Sequence, residues 1–161
     1  MPLSALLATA FLNTLIYIAD NDQTHGTEST DLAKTACKEI AALANEFSEL
    51  KTSKFDGAVH DGKTGLDYVG CRMVGAGAGI DYRDDKWPHD ILRMRMMSDN
   101  WQEDISRAAD GAGSTAFALR KGAVLCVFSA SWIITEPFEP DAAEARSYKF
   151  AAGCFVTDDS G

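Results

Sequence analysis

The sequence predicts an α+β fold: an antiparallel sheet of about four to five strands, ending in a C-terminal meander, covered on one face by a long amphipathic helix. Three observations carry this expectation. Apolar residues recur at three- and four-residue steps between Asp31 and Leu50. Apolar alternation of period two runs through residues 115–134 and 147–156. Glycine-bearing turns punctuate the second half of the chain, where a helix would not tolerate them. A helix with one apolar stripe and a sheet with one apolar face bury each other as two layers.

The helix comes first. Ala33, Cys37, Ile40, Ala44, Phe47 and Leu50 form its stripe, with Ser29 or Thr30 as N-cap and Asp31 near the positive end of the helix dipole. The stripe is narrow and rich in alanine, so the helix is expected to lie close against the sheet. Residues 51–65 carry Lys, Ser, Asp, Gly and His and read as loop. Residues 66–74 are strand-like, with Val69, Cys71 and Met73 on one side and Tyr68, Gly70 and Arg72 on the other.

Gly75-Ala-Gly-Ala-Gly79 follows. A phosphate-binding loop would lead directly into a helix whose N–H groups face the anion, but an acidic, non-helical segment comes next. The glycines therefore read as a bulge, a wide turn or a close backbone approach. Pro88 opens a short helix that runs to Met97, with Ile91, Leu92 and Met96 as core contacts and Asn100 at its end. Residues 101–108 read as an edge strand with Trp101 and Ile105 on one face, and residues 110–114 as a turn. A hairpin about Lys121-Gly122 joins strands 115–120 and 123–134, and residues 147–156 form the last strand. Cystatin-like and nuclear transport factor 2-like folds share this general plan, a likeness of layout that transfers no function.

The last two strands fix a register. A connection centred near Pro140 sets Cys126 opposite Cys154, and both fall on the apolar face of their strands. Directly opposed cysteines lie within disulfide range. The other two, Cys37 on the helix and Cys71 on the strand, would then pin helix to sheet. The competing reading is four reduced thiols. No pair has C-x-x-C spacing and no histidine stands at zinc-ligand distance in sequence, so no metal site is expected.

Composition narrows the function classes without choosing one. The 161 residues fit a single domain, 46% hydrophobic and 24% charged. The net charge of −9, with no compensating basic stripe, argues against nucleic acid as a partner. Residues 1–19 form an apolar segment without charge from Leu3 to Ala19, read as a signal peptide or a buried first helix, with residues 20–161 as the domain proper. It lacks a basic n-region and a clear cleavage motif, and it is short for a membrane anchor. An even cysteine count and this head favour a periplasmic or extracellular protein, with the cytoplasm as the alternative. After processing, no membrane attachment is expected.

No catalytic signature emerges. His25, His60 and His89 sit in polar surroundings that read as solvated loops, and no nucleophile elbow is present. All four cysteines lie on apolar faces, unlike an activated thiol. The acids at 81–85 and 136–144 follow no calcium-loop pattern. Tyr82, Trp87, His89 and Trp101 gather around the glycine run and the short helix, and form the candidate ligand-binding surface. The leading expectation is an exported, non-catalytic domain that binds a protein or a small ligand without a cofactor. An enzyme with a sheet-lined cleft, using His89 or an acid as base, is the first alternative. An intracellular immunity or adaptor protein is the second.

Overall fold

The computed structural model of the chain describes residues 28–47, 50–78, 87–134 and 146–157. Helix α1 runs through residues 28–44. Strand β1 is Lys51–Asp61, β2 Leu66–Ala78, helix α2 Pro88–Ser98, β3 Gln102–Glu103, β4 Ala109–Gly111, β5 Ser114–Lys121, β6 Val124–Ile134 and β7 Arg146–Val156. A single 3-10 turn, Ile105–Arg107, lies between β3 and β4. The expected apolar head (1–19) falls outside the described residues.

The fold is α+β with an antiparallel sheet, larger than the four to five strands expected. Seven strands pair in the order β1-β2-β7-β6-β5-β3, with β4 also paired to β5. Both helices pack on one face. Ala33, Ala36, Cys37, Ile40 and Ala44 of α1 and Leu92 and Met96 of α2 join Cys71, Met73, Phe117, Leu119, Cys126, Phe128, Phe150 and Cys154 in one buried cluster. Cys37 of the α1 stripe meets Cys71 of β2 with Cα atoms 6.4 Å apart, beside the small residues Ala33, Ala36 and Ala44.

Several elements differ from expectation, for identifiable reasons. Residues 51–61 are not loop but β1, paired along its whole length with β2 from Lys51↔Ala76 to Asp61↔Leu66. Its composition is polar because it is an edge strand, exposed along most of its length. The glycine run is no bulge or turn as far as Ala78: Gly75 and Ala76 pair with both β1 and β7, and Gly77 and Ala78 continue β2 against β7. The close approach does occur, since a Cβ on Gly75 would stand 3.0 Å from Leu50 Cδ1. Residues 101–108 hold only the two-residue β3 and the 3-10 turn; Trp101 is buried while Ile105 is 78% exposed, so they share no face. Ser29 and Thr30 lie within α1 rather than capping it.

The strand β7 is not the edge of a meander but sits at the centre, between β2 and β6. Its sequence explains why. Tyr148, Phe150, Ala152 and Cys154 face the helices, while Ala151, Gly153 and the fully buried Phe155 carry apolar or small groups on the other face. A strand apolar on both sides belongs inside a sheet. Its register with β6 is the expected one, Cys126↔Cys154 within an unbroken ladder from Val124↔Val156 to Ile134↔Arg146. The β5–β6 hairpin also forms. Its two-residue turn is Gly122-Ala123, one residue later than expected, with Gly122 at φ +60°. Glycine at the first central position with positive φ suits a type II′ turn.

Both expected cysteine pairs are present. Cys126 and Cys154 are bonded across neighbouring strands with Cα atoms 4.1 Å apart, and Cys37 joins α1 to Cys71 of β2 with Cα atoms 6.4 Å apart. Disulfides of this kind persist in oxidising compartments, the periplasm or the extracellular space among them.

Candidate functional site

The side of the sheet away from the helices is open and curved. Two contacts between opposite ends of the strand order require the curvature. Asp61, at the end of edge strand β1, receives Arg107 Nε at 3.2 Å on one carboxylate oxygen and Arg107 Nη2 at 2.8 Å on the other. Lys63 Nζ reaches Ser106 Oγ at 2.5 Å beside it. Strand β1 thus curls back over the sheet, so that a Cβ on Gly153 would lie 2.5 Å from Val59 Cγ1. Only glycine admits that crossing.

The latch is electrostatically complete. Asp61 also accepts from Lys63 N at 3.1 Å and Thr64 Oγ1 at 3.0 Å, and Arg107 pairs with Asp104 as well. The Arg107 guanidinium holds the buried Asp61 carboxyl at about 2, well below its usual 3.8, against the upward push of burial. This cluster was not singled out from the sequence, because Asp61 and Arg107 are far apart in the chain and meet only when the sheet curls. It is a structural latch, with every carboxylate oxygen occupied.

Curling leaves a trough. Its larger part is a cavity of about 810 Å³ bounded by β1, β2, β4, β5, β6 and β7. The ladders set its floor in rows across the strands. One row is Ser53, Val74, Ala151, Ser129 and Ala116; the next, towards one end, is Lys51, Ala76, Lys149, Ser131 and Ser114. A second depression of about 530 Å³ adjoins the first, shares Ser129 and Ala151 with it, and extends past Arg72, Val127 and Gly153 to Val59. Beyond lies a small apolar cluster of Val59, Ala118, Leu125 and Phe155, with Tyr68 stacked on Phe155 at 4.3 Å. Cavities of several hundred Å³ with small apolar floors and a few polar groups are the ordinary form of small-molecule sites.

The residues expected to bind a ligand lie elsewhere. Tyr82 falls outside the described residues. Trp87 and His89 flank the start of α2 on the helix-covered face and stack with Trp132 and Tyr148, ring centroids 5.0–6.0 Å apart. The Asp90 carboxylate accepts from Trp87 N–H at 3.1 Å and closes the first turn of α2. His89 is not a solvated loop residue; it is 5% exposed, with Nδ1 3.1 Å from the Tyr148 hydroxyl. Burial pushes the imidazole below its ordinary value, opposed by Asp90, whose carboxylate stands 3.6 Å from Nε2. Burial likewise pushes the Tyr148 phenol up. Trp101 is buried apart from these rings, beneath Lys121, whose Nζ lies 5.7 Å from the Trp101 ring centroid. The structure therefore brings Trp87 and His89 together and leaves Trp101 separate.

His60 lies on β1, not in a loop, and pairs with its register partner Asp67 at 2.9 Å. His25 and the acids at 81–85 and 136–144 fall outside the described residues. The sulfurs of Cys37, Cys71 and Cys154 lie within 4.8 Å of one another, but as disulfide sulfurs they are not available as metal ligands.

The sequence did carry a signal for the trough. In the middle of β6 and β7, Phe128, Trp132, Tyr148 and Phe150 alternate with Ser129, Ser131, Ala151 and Gly153, a local run of small residues on a face that carries bulk again at Leu125 and Phe155. The chain matches no protein-family model, and no curated protein or solved structure is significantly similar to it.

Proposed function

We propose that this protein is an exported, non-catalytic binding domain that takes a small ligand in the trough on the uncovered face of its sheet. The observation that carries this reading is the cavity of about 810 Å³ built on a floor of Ser and Ala side chains. Its size fits a small organic ligand. The floor is held in place by backbone ladders on both sides and by two disulfides on the opposite face, so the site is formed before the ligand arrives. Export agrees with the disulfides and the apolar segment at 1–19. His89 supports a packing role better than a base, since it is enclosed on the face opposite the trough.

The test uses the neutral apolar dye N-phenylnaphthylamine. Saturable fluorescence enhancement with one site per chain is expected, and its loss when the floor is filled by Ala151→Trp or, independently, by Ser129→Phe. Thermal melting of each variant identifies any that fails to fold. Enhancement that persists unchanged in both folded variants overturns the reading.

A further inference from the structure

We infer that the ligand of the trough is an elongated amphiphile with an anionic head group, its head held between Lys51 and Lys149. The inference rests on the reading of the trough as a binding site and adds the chemistry of its occupant.

The register places the two lysines together. Both are partners of Ala76, one from each side, and so stand on the same face in the same row. Two strand spacings put their Cα atoms about 10 Å apart, a gap that two flexible ammonium side chains close around one anion. The row continues through Ser131, the partner of Lys149, and Ser114, the partner of Ser131, which add two hydroxyl donors. Lys51, Lys149, Ser131 and Ser114 all line the larger cavity. A third cation, Arg72, lies further along the same trough.

These cations stand out against their setting. The chain carries a net charge of −9, yet Lys51, Arg72 and Lys149 form no ion pair among the described residues. The trough also holds two acids, Asp110, which accepts from Thr115 Oγ1 at 2.6 Å, and Asp67, beside His60, and the three cations outnumber them. Three unpaired positive groups on one concave surface of an acidic protein select a negative ligand.

The body of the ligand is set by what lies between and beyond. From the lysine row the floor runs over Val74, Ala151 and Ser129 to Val127 and Gly153, where the buried Val59 closes it. Lys149 and Gly153, the two ends of the β7 lining, are four residues apart, about 13 Å of strand. An inorganic anion would leave that apolar length wet, whereas a chain with an anionic end covers it. The concavity favours a single molecule over a flat bilayer surface.

The experiment measures displacement of N-phenylnaphthylamine, below micellar concentrations, by three ligands of equal chain length: laurate, dodecanol and dodecyltrimethylammonium. Laurate is expected to displace the dye at least about tenfold more tightly than dodecyltrimethylammonium. The double variant Lys51→Glu, Lys149→Glu, with both sites exposed, is expected to reverse that order relative to dodecanol. Equal displacement by the three ligands, or a laurate preference that survives the double variant, overturns the inference and leaves the trough as a neutral site. Absence of dye binding in the parent protein overturns the reading of the trough and the inference with it. Sedimentation with phosphatidylglycerol vesicles, without laurate displacement, assigns the lysines to a bilayer and overturns the inference alone.

Discussion

The two faces of the sheet are built from the same strands and do opposite work. The helix-facing side carries Phe117, Phe128, Phe150, Tyr148 and the three strand cysteines, and is sealed by α1 and α2. Residues one step along the same strands, Ala116, Ser129, Ala151 and Lys149, are small or charged and leave the other side open. The contrast teaches that period-two alternation here sorts size as well as polarity. Bulk on one face supplies stability, and lack of bulk on the other supplies space.

That comparison can be broken or sharpened by substitution. The largest effect is expected on the sealed face and at the latch. Phe128→Ala, which empties a buried aromatic site stacked on Phe117 at 4.6 Å, should lower unfolding free energy by about 3–5 kcal/mol in chemical denaturation. Asp61→Ala should cost a similar amount, about 3–5 kcal/mol, because it leaves the largely buried Arg107 short of its bidentate partner. It should also loosen the trough, read as faster amide exchange along β1. A loss below about 1 kcal/mol in either variant would mean that the face concerned does not carry the fold.

Replacing both Cys126 and Cys154 by alanine comes next. Opening a loop with a sequence separation of 28 should cost about 3–4 kcal/mol in the chain-entropy account, measured as a shift in denaturation midpoint.

The pH dependence separates the faces again. The folded pKa of Asp61 is below its unfolded value, so its stabilisation is present above about pH 4 and is lost as pH falls towards 2. The shift corresponds to about 2 kcal/mol. His89 is also depressed, so it destabilises the fold as pH drops below its ordinary 6.5, where the unfolded chain takes up the proton more readily. Melting temperature against pH should thus fall in two windows. Asp61→Asn should remove the lower window and His89→Gln the upper one, while the fold of each variant is checked by circular dichroism.

The smallest effect belongs to the open face. Ser129→Ala, which fills and empties nothing on the sealed side, should change stability by no more than about 0.5 kcal/mol. A larger loss would show that the open face also holds the fold together.

Parts of this arrangement were legible in the chain. The spacing of Ala33, Cys37, Ile40 and Ala44 identified α1 by local periodicity alone, and alternation on β6 and β7, with a connection taken as centred near Pro140, placed Cys126 against Cys154. The ring group was legible only as a list. Trp87 and His89 are two residues apart and share a helix start, but Trp132 and Tyr148, which complete the stack, come from strands far along the chain. Trp101 has the same composition signal and packs elsewhere.

The sequence by itself determined the helix, the two-faced strands, the inward cysteines and the acidic charge, since each follows from the intrinsic preferences of residues close in the chain. The tertiary structure alone decided that β7 lies between β2 and β6, that the polar segment 51–61 is an edge strand, and that Asp61 meets Arg107. Those are pairings between distant segments, fixed by which hydrogen-bonding edges are left free once the core has closed. The trough belongs to this second group. Small residues made it possible, and the curl of the sheet gave it a volume and a charged end.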